Sequence, residues 1–344
     1  MANGGRRLTQ GWWIAIHRLI GLDAWKIWFH SDTHLIFLAI FYSFLLSPTI
    51  DFEFLGPLLL VASLELYGAL AVMINDYFDM PSDAGSGRGK TIFYMKRWQI
   101  YGLTSILVLS GLGVAIFLLG RLDFVLMYAI ACFMAILYSA PPARLKTKGI
   151  HGIWCDALIE TTIPVILVFL YFQHLDLYTY FFVMLCFVFQ IENIISHQID
   201  DYAGDLKTST NTFVVQIGRK KTIRLRNRYL RPILAFLILM LGIFISVRSL
   251  YFFTIFGVLL VGFFFIQKFV KIARAYYFIF WSFSLVSVYP ISLGIISTLL
   301  HPPYALLLLF ALSSQYPRAK SFLRAVQSIA RALPAPSVFR TAQS

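Results

Sequence analysis

The chain has 344 residues, of which 59% are hydrophobic and only 13% charged, with a mean hydropathy of +0.75. Soluble globular domains carry roughly a quarter charged residues, so this composition excludes one and points to an all-α integral membrane protein. The formal net charge of +13 does not indicate a nucleic-acid partner, because nearly all the Lys and Arg lie in loops between apolar runs, the pattern that orients a protein in a bilayer.

Residues 1–33 are basic and aromatic without a small-residue cleavage site, and read as a cytoplasmic interfacial segment rather than a cleaved signal peptide. Nine apolar runs follow, near 34–50, 54–78, 99–119, 122–140, 153–173, 178–196, 231–249, 251–270 and 276–299. Most are about 18 residues or more, enough to cross a bilayer as a helix. The close third-to-fourth and seventh-to-eighth connections predict helical hairpins. Residues 34–299 are thus expected to form one nine-helix transmembrane domain. Residues 300–344 add a short apolar segment (303–314) and a basic amphipathic tail, whose side of the membrane stays open. Outside that tail, only Arg121 and Arg248 fall on one side of such a bundle and every other Lys and Arg on the other. The excess marks the cytoplasmic side. Cys132, Cys155 and Cys186 form no CxxC pair and suggest neither a disulfide framework nor a zinc site.

Two polar clusters interrupt this apolar pattern, both at cytoplasmic span ends. The second span ends in AVMINDYFDMPSDAGSGRGKT (71–91), carrying Asn75, Asp76, Asp79 and Asp83 into a Gly-rich loop with Arg88 and Lys90. The sixth ends in QIENIISHQIDDYAGDLK (190–207), with His197, Asp200, Asp201, Asp205 and Lys207. Asn75 and Asp79 stand at i and i+4, and His197, Asp201 and Asp205 at i, i+4 and i+8, so each set shares one helical face. Carboxylates stacked this way repel unless a cation lies among them. Oxygen ligands suit Mg²⁺, which takes one or two carboxylates and fills its shell with water and substrate phosphates. Two such faces across a cavity would hold a pair of Mg²⁺ ions with a diphosphate between them. Arg88, Lys90, Arg144, Lys146 and Lys207 would neutralise the remaining phosphate charge. A single such cluster is ordinarily a solvated loop, but two on one side with this spacing are poorly explained that way. A transporter would carry its acidic residues nearer the bilayer midplane. Pro81 predicts that the helix stops before Asp83, leaving Asp83 in the loop, to meet a metal on closure or not at all. Glu65, Asp156, Glu160 and Glu192 fall within spans, where ionisable residues are candidates for function.

On these residues the chain resembles the UbiA superfamily of intramembrane prenyltransferases. Asn75-Asp76-Tyr-Phe-Asp79-Met-Pro-Ser-Asp83 is similar to that family's NDxxDxxxD, and Asp201-Tyr-Ala-Gly-Asp205 to its DxxxD. Lys207, Thr212 and Gly218 stand where the family commonly has Lys, Ser/Thr and Gly. Tyr138 and Lys146 in LYSAPPARLKTKG resemble its Tyr-to-Lys stretch after the fourth helix. The resemblance implies that Asn75, Asp79, Asp83, Asp201 and Asp205 bind Mg²⁺. It implies a Mg²⁺-dependent prenyltransferase that ionises a prenyl diphosphate and passes the prenyl group to a small, aromatic or other, acceptor. Tyr138, Lys146 and His197 are the expected catalytic groups, with His197 either a base or a hydrogen-bonding partner within the bundle. Glu160 and Glu192 could each hydrogen-bond an acceptor or a helix neighbour, and Asn193 is a further possible acceptor contact. Terpene cyclisation and phosphoribosyl transfer, also found in the superfamily, remain alternatives. The short AGSGRGKT loop and the absence of the usual Arg-Pro near the first helix, where LDAWKIWFHSDTH stands, depart from the family and leave the acceptor unassigned.

Overall fold

The computed structural model describes residues 33–46, 55–85, 95–119, 121–269 and 284–314. Among them every regular element is helical, as backbone groups facing hydrocarbon require. The helices are α1 (Thr33–Leu46), α2 (Leu55–Gly85), α3 (Arg97–Leu119), α4 (Leu122–Ser139), α5 (Ile150–Tyr171), α6 (Leu177–Lys207), the short α7 (Phe213–Ile217), α8 (Arg219–Arg248), α9 (Leu250–Phe269), α10 (Ser284–Leu300) and α11 (Pro302–Ser314). Each expected span therefore has a helix over its described part, and the apolar 303–314 segment is helical too. Among the described residues six helices, α2 to α6 and α8, are long and apolar enough to cross a membrane. The chain is a multi-pass membrane protein. The N-terminal segment, the amphipathic tail, Arg88 and Lys90 lie outside the described residues.

Side-chain burial sorts the bundle into centre and periphery. Every residue of α1 from Thr33 to Phe44 is buried, as expected of a helix apolar on all sides. It is wedged against α5 and α10. Tyr42 stacks on Phe182, and Phe44 lies face to face with Tyr304 at 4.2 Å between ring centres. In contrast, α3 turns Ile106, Leu109, Ile116 and Phe117 outward, where a soluble protein would place polar groups. The α3–α4 and α8–α9 hairpins form as expected. The second turns on Ser249, whose Oγ accepts from Phe252 N at 3.2 Å and so caps α9. At its far end from the acidic motif, α6 starts with a capping box. Asp176 Oδ1 accepts from Thr179 N at 2.8 Å, and Thr179 Oγ1 accepts from Asp176 N at 2.9 Å.

Pro81 does not end α2. The helix runs on to Gly85, so the backbone of Asp83 is helical rather than part of the loop. Proline's missing N–H removes one bond, and the rest of a 31-residue helix packed along α3 and α4 outweighs that loss. The side chain of Asp83 is outside the described residues. At about 1.5 Å rise per residue, α2 and α6, with 31 residues each, reach about 46 Å. That exceeds the roughly 30 Å of hydrocarbon, and both carry their acidic motif on the last turns.

Candidate active site

The α4–α5 connection brings the first cluster together. It leaves α4 at Ser139, turns with Arg144 in the left-handed region (φ 38°), and closes a 3₁₀ turn, Leu145–Thr147, before α5. The Lys146 ammonium thereby lands on the acidic end of α2. Lys146 Nζ donates to Asp79 Oδ1 at 2.5 Å and to Asn75 Oδ1 at 2.9 Å. Arg144 reaches the same Asp79 oxygen at 3.4 Å, and Ser139 Oγ donates to Asn75 Oδ1 at 3.1 Å. The expected i, i+4 pair therefore does converge, on one cationic group, in a partly enclosed site where Lys146 and Asp79 are 13% and 21% exposed.

The second cluster is built by the end of α6 and the turn after it. Asp205 Oδ2 accepts from Thr212 Oγ1 at 3.0 Å, while Val214 N donates to Gln198 Oε1 at 3.3 Å, tying α7 back onto α6. Gly218, at φ 87°, makes the corner into α8 that a side-chain-bearing residue would adopt only with strain. Since α7 packs against the start of α5, and the loop before α5 carries Lys146, both acidic motifs lie at one end of the bundle. Asp201 and His197 are exposed on one face of α6, and Lys207 is its exposed last residue. Among the described residues no three His, Cys, Asp or Glu side chains close into a metal cage; each motif carries half of the ligand set expected from the sequence.

Further along α5 and α6 from that end lies a polar patch. Gln190 Nε2 donates to Asp156 Oδ2 at 3.0 Å and to Glu160 Oε2, and Asn193 Nδ2 donates to Gln190 Oε1 at 3.2 Å. Tyr138 lies beside Asp156. Glu160 stands in a π-turn, Leu158–Thr162, whose wider ladder leaves carbonyls for other donors. Tyr67 OH takes that of Ile159 at 2.7 Å, and Thr162 Oγ1 takes that of Ala157 at 2.6 Å. Glu192 contacts helix neighbours, one of the two roles open to it. Its Oε1 accepts from Arg231 Nε at 2.9 Å and from Ser196 Oγ at 3.0 Å, and Arg226 donates to the same serine at 2.9 Å. This buried ion pair joins α6 to α8.

The UbiA prenyltransferase family model matches residues 35–277. The chain belongs to the UbiA prenyltransferase family. No curated protein matches it by sequence. Among solved structures it is similar to a UbiA homolog from Archaeoglobus fulgidus bound to DMAPP and Mg²⁺. That match has a TM-score of 0.55 and 16% identity over 85% of this chain and 99% of the other. The same homolog bound to GPP and Mg²⁺ gives a TM-score of 0.55, with 16% identity and the same 85% and 99% coverage. A structure concerned with digeranylgeranylglyceryl phosphate synthase in membranes gives 0.52 and 14% identity, over 89% of this chain and 99% of that one. At such identities the likeness is one of fold.

In this UbiA family member the donor chemistry of the α2 half-site fits a divalent cation. Asn75 and Asp79 already aim one oxygen each at a single positive group, and Mg²⁺ needs only one or two carboxylates when water and phosphate complete its shell. Ser139 and Gln190 were not singled out from sequence. Ser139 follows Tyr138 directly, and Gln190 is the first amide after an apolar run, three residues before Asn193. That i, i+3 spacing was the available signal.

Proposed function

We propose that the chain is a Mg²⁺-dependent intramembrane prenyltransferase of nine transmembrane helices, with its active site facing the cytoplasm. It ionises a prenyl diphosphate and transfers the prenyl group to a small acceptor. The observation that carries this reading is the convergence of Asn75 and Asp79 on one cation, beside Arg144, at the bundle end that also bears Asp201 and Asp205. The relatives bound to DMAPP or GPP together with Mg²⁺ support the substrate class.

Asn75, Asp79, Asp83, Asp201 and Asp205 would hold the metal. Bound Mg²⁺ would act as a Lewis acid for the departing diphosphate. Lys146, Arg144 and Lys207, with Arg88 and Lys90, bind the phosphate oxygens and neutralise charge that grows as the C–O bond breaks. The apolar interior excludes water from the allylic cation, and aromatic faces stabilise it. Glu160 and Asn193, linked through Gln190 with Asp156, would contact the acceptor. His197, exposed on the Asp201 face, takes the proton released on substitution.

The test is diphosphate release from geranyl and farnesyl diphosphate by purified protein supplied with a membrane extract as the source of acceptor, with and without Mg²⁺. Asp79→Ala and Asp201→Ala are each expected to abolish the Mg²⁺-dependent release, and wild-type turnover in both would sink the reading. Hydrocarbon products formed without any acceptor would identify a cyclase instead.

A further inference from the structure

All 16 Asp and Glu residues lie at or before position 205, so the chain beyond Asp205 carries no carboxylate side chain at all. Seven Lys and Arg fall in the first 13 residues of α8, 219–231. Three of them turn inward. Arg219 Nε donates to Ile199 O at 3.3 Å, Arg226 to Ser196 Oγ at 2.9 Å and Arg231 to Glu192 at 2.9 Å. The other four, Lys220, Lys221, Arg224 and Arg228, are exposed, and among the described residues none of them pairs with a carboxylate. We propose that these four form a docking stripe for the headgroups of anionic phospholipids in the leaflet beside it. The inference needs only that α8 spans a membrane, and it is independent of the reaction proposed above.

The helix itself sets the stripe over lipid. Thr222, Leu234, Ile238, Leu241 and Ile245 are buried and define the inner face of α8. The exposed face carries the four cations first and then Ile233, Phe236, Ile243 and Val247, which meet hydrocarbon in a bilayer. The π-turn Arg226–Leu230 keeps the two rows in line. Its residues lag behind an α-helix by roughly a quarter turn, and without that lag the cations would stand to one side of the apolar row. Exposed Tyr229 sits between the rows, as aromatic side chains do at the edge of the hydrocarbon. The Arg228 guanidinium lies 5.6 Å from the centre of its ring. At 1.5 Å per residue, Arg224 stands about 6 Å further out, and Lys220 and Lys221 about 11 Å. The two cations nearest the lipid are thus both arginines, whose planar forks bind phosphate oxygens in pairs, whereas a lysine acts as a point charge. Lys220 and Lys221 lie beyond the Debye length of about 8 Å at physiological salt, and add a screened attraction. A zwitterionic headgroup offers the same phosphate together with an ammonium that the stripe repels, so the anionic headgroup is the one that fits.

The experiment is native mass spectrometry of the detergent-solubilised full chain, titrated with phosphatidylglycerol or with phosphatidylcholine of the same acyl chains. The wild type is expected to bind its first phosphatidylglycerol roughly tenfold tighter than phosphatidylcholine. Arg224→Gln with Arg228→Gln should bring the two lipids close to parity, and Lys220→Gln with Lys221→Gln should lower the preference by a smaller factor. Both double variants change exposed residues only and should melt as the wild type does. An undiminished preference in the arginine variant overturns the proposal. Displacement of phosphatidylglycerol by glycerol 3-phosphate also overturns it, because the stripe would then be a site for soluble phosphates. A dimer in the wild-type spectra that the arginine variant abolishes overturns it as well, making the stripe an interface between two copies of the chain.

Discussion

Thr212 acts on the site through a single hydrogen bond. Its hydroxyl fixes one oxygen of Asp205 at 3.0 Å and so orients the carboxylate toward the face it shares with Asp201. Thr212→Val keeps the shape and removes the donor, and a hydrogen bond to a charged group contributes about 1.5 kcal/mol. The expected result is a rise in the Mg²⁺ concentration for half-maximal activity that Thr212→Ser, which keeps the donor, does not show, together with a small fall in melting temperature. Titration of activity with Mg²⁺ checks this. At this scale the sequence was informative wherever helical spacing alone decides the geometry. Asn75 with Asp79, and Asp201 with Asp205, needed only the i, i+4 rule. It was silent where contacts cross between helices. Nothing near Glu192 in the chain announces that Arg231, 39 residues on, takes its oxygen, and nothing near Gln190 shows that one amide serves both Asp156 and Glu160.

Helices α6 and α8 are joined by a pair whose loss is costly in one direction only. Glu192 is 7% and Arg231 20% exposed at the side chain, so removing one partner leaves a shielded charge. Arg231→Met is expected to destabilise the protein by about 3 kcal/mol, and Arg231→Met with Glu192→Met by clearly less. Thermal unfolding of the single and double variants measures the difference. The Asp176 cap at the other end of α6 offers a contrast. Asp176→Ala removes the side-chain half of that reciprocal pair, the bond from Thr179 N, while the N–H of residue 176 still donates to Thr179 Oγ1; it should lower stability by about 1 kcal/mol, leaving turnover untouched. Element positions were readable because long apolar runs bounded by charge admit little else. The end of α2 was not, because a local proline rule is weak against the packing of a long helix. The π-turns at Leu158–Thr162 and Arg226–Leu230 leave no mark in periodicity, since one extra residue shifts the pattern by less than the width of an apolar face.

Orientation is a property of the whole molecule and can be tested on it. The three native cysteines are buried, so an introduced thiol can be read against a low background. Leu175 and Lys148 lie exposed in loops at opposite ends of α5. If the Lys and Arg bias orients the chain as proposed, a membrane-impermeant maleimide on intact cells labels Leu175→Cys at once, and Lys148→Cys only after permeabilisation. The opposite pattern reverses the topology. The two overlong helices, α2 and α6, carry a consequence for the reaction's end. Being longer than the roughly 30 Å of hydrocarbon requires, they carry their acidic last turns to one end of the bundle. In the proposed reaction, cleavage there would release the diphosphate to water and the prenylated product to lipid. The two products would then no longer meet at appreciable concentration, and the reverse reaction would be starved by partition rather than blocked by any residue of the protein.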